Sequence, residues 1–222
     1  MLKVYVGFQY LELSKFDLAR RYVGQGKEAK VYRFGDEVLK IYKKNCKKDR
    51  LDEETACSLS KLETKRVLLP KRIIRSASNV EFIGYSLKAI DKKKGSLSDM
   101  SMSQFIDELD MINDDLFYLA NLGVEVEDFH LGNCLYDGRL FITDPGDFII
   151  KQESIEGGIY RNNLYTLNRF VKDDVFGTVK LNMFERQIVE DRFEDFDYIG
   201  EQLRTTVLEG ETIKSYVKRM TK

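Results

Sequence analysis

Asp128, Asn133 and Asp144 are the residues whose types and spacing could do chemistry together. They stand in Asp128-Phe-His-Leu-Gly-Asn133 and, eleven residues further on, in Asp144-Pro145-Gly146. A carboxylate, an amide five residues later and a second carboxylate before a glycine supply one base and two oxygen ligands for a hard cation. Phosphoryl transfer uses such a set, because its catalysis is mostly positioning plus neutralisation of phosphate charge. Alone the pattern is weak. Asp128 and Asn133 read equally as turn residues that bond their own backbone, and Asp144-Pro-Gly-Asp147 as an ordinary β-turn.

A second cluster lies about a hundred residues upstream, in Val23-Gly24-Gln-Gly26-Lys-Glu-Ala29-Lys-Val31-Tyr32 followed by Val38-Leu39-Lys40. Two glycines at i and i+2 let a strand-to-strand turn approach phosphates closely. Gly35-Asp36 reads as the next hairpin turn. Lys40 then falls inside the apolar run Val38-Leu39-Lys40-Ile41-Tyr42, where a lysine either snorkels to solvent or turns inward to meet anions. Singly, Gly24 and Gly26 are an ordinary hairpin turn and Lys40 an exposed strand lysine. The joint order of the two clusters is what carries weight.

With both clusters in place, the chain resembles the protein-kinase-like superfamily from about Phe16 to about Phe170. That superfamily includes Ser/Thr/Tyr kinases, RIO- and Bud32-like kinases, and aminoglycoside and choline phosphotransferases. Gly24, Gly26 and Val31 match its G-x-G-x-x-G-x-V loop, with Ala29 for the third glycine. The resemblance implies that Lys40 orients the nucleotide phosphates, held by a glutamate on the next helix, roughly residues 47–63. Glu54 gives the preferred register there, with Glu53 and Glu63 as competitors. Asp128 matches the catalytic-loop Asp, Asn133 its metal-binding Asn, and Asp144 the Asp of D-F-G, with Pro145 for Phe. Leu87 is implied to guard the back of an adenine pocket, and Lys88 to Ile90 to supply backbone hydrogen bonds to the base. The cofactors implied are ATP and Mg²⁺.

The departures bear on substrate. Val126-Glu127 stands where protein kinases carry His-Arg, so phosphorylation-driven switching is not expected. His130 replaces a lysine, as in aminoglycoside and choline phosphotransferases; it either buttresses the loop or approaches phosphate when protonated. No A-P-E sequence follows in Ile149–Asn162, the place of an activation loop. Three readings remain open: a compact protein kinase acting on a Ser/Thr hydroxyl, a small-molecule kinase, and a nucleotide-binding pseudokinase. Transfer of AMP stays open beside them.

The elements that must position these residues can be sketched from periodicity. The reading is α+β and bilobal: residues 1–88 a small antiparallel β-sheet lobe with one helix, residues 89–222 a reduced, mainly helical lobe. Residues 1–15 read as an extra strand or arm, Phe16–Val23 as a strand, and 29–34 and 37–42 as strands. Leu68–Ile74 and Val80–Ile90 follow as two more. Phe105, Ile106, Leu109, Ile112, Leu116, Leu119 and Leu122 recur at helical spacing, with the helix near Ser103–Asn121 and Gly123 ending it. Further helices are expected over Asn163–Val171 and Met183–Val207, the latter carrying Ile188, Phe196, Ile199 and Leu203.

Composition agrees. The 222 residues, 43% apolar and 33% charged, describe a globular protein. No run of 18 apolar residues calls for a membrane span, and the N-terminus lacks a secretory pattern. Cys46, Cys57 and Cys134 have no metal-ligand spacing and read as free thiols of a reducing cytoplasm. A formal charge of −1 hides an asymmetry: residues 1–98 hold 23 Lys/Arg against 12 Asp/Glu, residues 99–222 hold 13 against 25. A basic half suits phosphate and an acidic half suits Mg²⁺ or a cationic acceptor, whether peptide or amine. Complementary packing of the halves explains the split equally well. Lys43–Arg50 and Lys92–Lys94 lack the interleaved aromatics of a nucleic-acid site, and no membrane partner is expected.

Overall fold

Period-two alternation dominates the first ninety residues of the computed structural model, which describes residues 1–44, 50–91, 97–144, 148–151, 157–193, 195 and 197–222. Cys46, the Lys92–Lys94 cluster, Pro145, Gly146, Phe196 and most of the Lys43–Arg50 cluster lie outside the described residues. The contacts divide the chain into two units. Met1–Thr64, Leu68–Ile90 and Asp144 belong to one; Lys65–Val67, Asp91–Thr143 and Phe148–Lys222 belong to the other.

The first unit is built on seven antiparallel strands. They are β1 (Leu2–Val6), β2 (Gln9–Leu13), β3 (Tyr22–Gln25), β4 (Ala29–Phe34), β5 (Glu37–Tyr42), β6 (Arg72–Ser76) and β7 (Phe82–Lys88), ordered β2-β1-β6-β7-β5-β4-β3. Two helices interrupt the chain: α1 (Lys15–Arg21) and α2 (Glu53–Leu59). Val4, Val6, Leu11, Leu39 and Ile74 pack as one buried cluster beneath the sheet. Close approach of β7 to β5 depends on Gly84, where an added Cβ would run into the Lys40 carbonyl.

Two expectations change here. Residues 15–21 form a helix, where the sequence reading placed a strand over Phe16–Val23. Ser14 and Asp17 close a capping box, the Ser14 hydroxyl accepting the Asp17 N–H at 3.1 Å while the Asp17 carboxylate accepts the Ser14 N–H at 3.0 Å. The helix expected over 47–63 is described only over α2, started by Asp52 accepting the Thr55 N–H at 2.9 Å.

The second unit is mainly helical. It contains α3 (Met102–Asn121), β8 (Val124–Val126), β9 (Cys134–Tyr136), β10 (Leu140–Ile142), β11 (Phe148–Ile150), α4 (Gly158–Arg169), α5 (Met183–Arg192), α6 (Ile199–Arg204) and α7 (Ile213–Met220). A π-helix over Phe170–Val175 continues α4. The α3 stripe is buried from Phe105 to Leu119, whereas Leu122, at the C-cap, is exposed, and Gly123 leaves the helix at φ +78°. The single helix expected over Met183–Val207 is two, α5 and α6. Fully buried Asn163 ties β8 to its neighbours: its amide oxygen accepts the Val126 N–H at 2.7 Å and its amide nitrogen donates to the Val124 carbonyl at 3.2 Å. Asp115 on α3, 5% exposed, accepts the backbone N–H groups of Lys65, Arg66 and Val67 at 2.6–3.0 Å. Among the described residues no helix is long and apolar enough to cross a membrane.

Candidate functional site

In the first unit, four residues form one row across the sheet. Gly24 faces Val31, Val31 faces Lys40, and Lys40 faces Tyr85 in consecutive strand pairings. Register therefore brings the glycine turn and the lysine together, because cross-strand partners share a face. Lys40 is only 7% exposed and donates from its ammonium to the Asp144 carboxylate, 104 residues away in sequence. Of the two fates open to a strand lysine, it takes the inward one. Its Nζ also lies 5.6 Å from the centroid of the fully buried Tyr85 ring, a contact that stabilises a desolvated cation by up to about 2 kcal/mol. Burial pushes the Tyr85 and Tyr42 hydroxyls well above the ordinary phenol range, and the Asp144 charge adds to both. Both therefore stay neutral beside the ion pair.

Lys40 does not meet Glu54. Glu54 lies exposed on α2 and makes no ion pair among the described residues, Glu53 is held by Arg75 of β6, and Glu63 is exposed. The partners Lys40 does have are the Asp144 carboxylate and the Tyr85 ring. Neither Gly24 nor Gly26 has positive φ, and a Cβ added at either would meet nothing within 4 Å. Local backbone geometry thus does not demand glycine there; the two positions leave open space over the turn. Gly26 closes the turn by donating its N–H to the Ala29 carbonyl at 3.0 Å, and Lys43 donates to the Gly26 carbonyl at 2.7 Å.

Leu87 is buried on the Lys40 face of β7, Lys88 is exposed, and Ile90 is partly buried. The Ala89 N–H is consumed by the Asp36 carbonyl at 2.8 Å. Ladder alternation points the Lys88 carbonyl away from β5. The segment can therefore offer a carbonyl at Lys88 but no donor at Ala89.

In the second unit the loop after β8 carries Asp128 at φ +56°. Three non-glycine residues among those described adopt positive φ: Val80, Asp128 and Asp144. Two of them are the carboxylates singled out by the motif, and such conformations persist where surrounding structure over-determines them. The restraints around Asp128 are visible. The Asn133 amide nitrogen donates to its backbone carbonyl at 3.2 Å and its carboxylate at 3.3 Å. The His130 Nδ1 accepts the Gly132 N–H at 2.9 Å, which assigns the ring proton to Nε2, 3.3 Å from the Asp128 carboxylate. Gly132 is required for this, since a Cβ would lie 2.6 Å from the imidazole. The Thr143 N–H donates to the Asn133 carbonyl at 2.7 Å, and Asp144 is the next residue along the chain.

Sequence reasoning missed the underside of this loop. Phe129 is buried against Phe170 of the π-helix, ring centroids 6.0 Å apart. Asp174, on the same π-helix, accepts the Leu131 N–H. Burial raises the Asp174 carboxyl above its usual range, opposed by His130 and reinforced by Asp173 and Asp128. Nothing in the local sequence marks Asp174, since a π-turn has no compositional signature.

As to a metal, no group of three or more His, Cys, Asp or Glu residues is arranged to hold one among the described residues. Of the two residues marked as oxygen ligands, Asn133 belongs to the second unit and Asp144 to the first. In comparisons with known proteins, no family model and no curated protein matches the chain.

Proposed function

We propose that this chain is an ATP- and Mg²⁺-dependent phosphotransferase of protein-kinase-like fold, moving the γ-phosphoryl group to a hydroxyl, with protein Ser/Thr as the preferred acceptor class. The observation that carries it is the inward ammonium of Lys40 on Asp144, which joins the two sequence clusters through their charged groups. An α+β architecture with an antiparallel sheet in one unit and a mainly helical second unit supports the fold assignment. The strain at Asp128 and Asp144 supports the assignment of roles.

Lys40 exchanges Asp144 for phosphate oxygens when nucleotide binds, and the Tyr85 ring keeps its stem in place. Gly24 and Gly26 leave room for the phosphates, and the Lys88 carbonyl and Ile90 N–H address the base. When bound, Mg²⁺ would neutralise phosphate charge, and Asn133 and Asp144 are the residues that would hold it. Asp128 orients the acceptor hydroxyl and receives its proton as the hydroxyl oxygen bonds to the γ-phosphorus and ADP departs with the bridging oxygen. In a loose transition state that proton leaves late, so orienting the hydroxyl is the larger part of the Asp128 role. His130 holds the Asp128 carboxylate in place by its Nε2 proton. The reading places the protein in the cytoplasm, where ATP is abundant.

Intact-mass measurement after incubation with Mg·ATP tests the proposal. A gain of about 80 Da reports phosphorylation of the chain itself, whereas about 329 Da reports AMP transfer and overturns the assigned reaction. ATP consumption only with a small alcohol present replaces the protein acceptor by a small molecule. A folded protein with no ATP-dependent thermal shift, with or without Mg²⁺, overturns the nucleotide site itself.

A further inference from the structure

Among the described residues the seven-stranded sheet has two unpaired edges, β2 and β3, and they are built differently. At β3 the pairing with β4 is broken by a register shift between Tyr22 and Gly24. Such irregularities blunt an edge against further pairing. At β2 the register with β1 runs unbroken over five pairs, Leu2–Leu13, Lys3–Glu12, Val4–Leu11, Tyr5–Tyr10 and Val6–Gln9. No proline or lysine interrupts Gln9-Tyr-Leu-Glu-Leu13. The strand's one charge, Glu12, is paired with Lys3 at 3.4 Å.

The direction of each main-chain group on β2 follows from its neighbours. Gly7 donates to the Ile73 carbonyl at 2.8 Å and the Lys3 carbonyl accepts from Ala77 at 3.0 Å, so odd-numbered residues of β1 bond toward β6. Even-numbered residues of β1 therefore bond to Gln9, Leu11 and Leu13. By alternation the N–H and C=O groups of Tyr10 and Glu12 point out of the sheet edge. Among the described residues no backbone hydrogen bond reaches them.

We propose that β2 pairs antiparallel with β2 of a second copy of this chain, about a two-fold axis through Leu11, joining the two sheets into one. The sequence of the edge is complementary to itself in that register. Tyr10 falls opposite the partner's Glu12 as a hydrogen-bonded pair, and Glu12 opposite the partner's Tyr10. The outward groups of both strands are thereby satisfied with about four backbone bonds. Leu11 faces the partner's Leu11 across the axis. On the solvent face the row reads Lys3, Glu12, the partner's Tyr10 and the partner's Tyr5, so no like charges stand opposite one another. The chemistry of the new pair already exists within the strand, where the Tyr10 hydroxyl reaches the Glu12 carboxylate at 3.4 Å. A closed two-fold pairing leaves no edge of this kind exposed. The inference is independent of the phosphotransfer reading.

Sedimentation equilibrium of the full chain tests it. The expected result is a mass rising with concentration from 25.9 kDa toward twice that value. Tyr10→Pro removes an outward N–H without touching a β1–β2 bond, and should raise the dimer dissociation constant about tenfold or more. Because that variant strains the hairpin, a covalent test accompanies it. A mixture of Tyr10→Cys and Glu12→Cys proteins should form, under mild oxidation, a disulfide mapped between those two positions, while neither protein alone does. A mass fixed at 25.9 kDa up to about 1 mM, or cross-linking of each variant with itself as readily as with the other, overturns the proposal.

Discussion

The two carboxylates at the centre of the proposed chemistry are held by opposite means. Asp144 is fixed by charge: a buried ammonium on an apolar strand holds it, with two neutral tyrosines beside the pair. Asp128 is fixed by geometry: its side chain is half-exposed, and loop hydrogen bonds from Asn133 and the nearby His130 ring restrain it. Buried pairing suits a group that must bind charge and release a partner on demand. Local bracing in solvent suits a group that must reach an incoming hydroxyl. The contrast teaches that binding and turnover should separate under mutation.

The largest separation is expected at Asp128. Asp128→Asn keeps the shape of the loop and removes the base, so turnover should fall at least about a hundredfold. Nucleotide affinity by thermal shift should stay within about twofold of wild type. Equal losses in both would place Asp128 among the binding groups and erase the contrast.

Asp144→Ala should do the reverse. At nucleotide concentrations about a hundredfold above the dissociation constant, binding stabilises the native protein by about 2.7 kcal/mol. The Mg²⁺-dependent part of that gain should vanish in the variant. Its ligand-free melting temperature should also fall, because Lys40 is left buried without its counter-ion. An unaltered Mg²⁺ dependence would remove Asp144 from the metal site.

Legibility divides along the same line. Gly24, Lys40, Asp128, Asn133 and Asp144 stand out in the sequence by the order of their two clusters; of what that order implies, the structure shows the Lys40–Asp144 contact. Glu54 could not be placed that way, since its expected partnership with Lys40 depends on how a helix packs on a sheet. The structure gives α2 to the Glu53–Arg75 pair and puts the Tyr85 ring beneath the ammonium. A tyrosine inside an apolar strand carries no mark of that duty. Phe16–Val23 misled for another reason: its apolar residues fit a short strand, and the Ser14–Asp17 box that decides for helix lies at the edge of the segment. The long helix expected over Met183–Val207 failed where its pattern spans two shorter helices.

Asp115 is a control on the comparison, being an acid with a purely structural position. Its carboxylate closes three backbone N–H groups at Lys65–Val67. Asp115→Ala should lower stability to denaturant by about 2–3 kcal/mol. Turnover and nucleotide affinity per folded molecule should be unchanged. A selective loss of turnover would mean that the 65–67 segment positions the chemistry.

The smallest effect should come from Asp174, which braces the loop after β8 from below at a cost to the fold. Its carboxyl is raised chiefly by burial, so folding disfavours its ionised form. Stability linked to this group is fully present below the unfolded carboxylate range and is lost as pH rises through the higher native value. Asn in its place carries no charge to desolvate and can still accept the Leu131 N–H through its amide oxygen. Asp174→Asn should therefore melt slightly above wild type at pH 7, with the difference shrinking to nothing as the medium is acidified and the aspartate protonates. Turnover should drop several-fold, because the weaker acceptor loosens Leu131, two residues before Asn133 and three after Asp128. A variant that is more stable and equally active would show that the burial of Asp174 serves packing alone, and the restraint on Asp128 would then rest with His130 and Asn133.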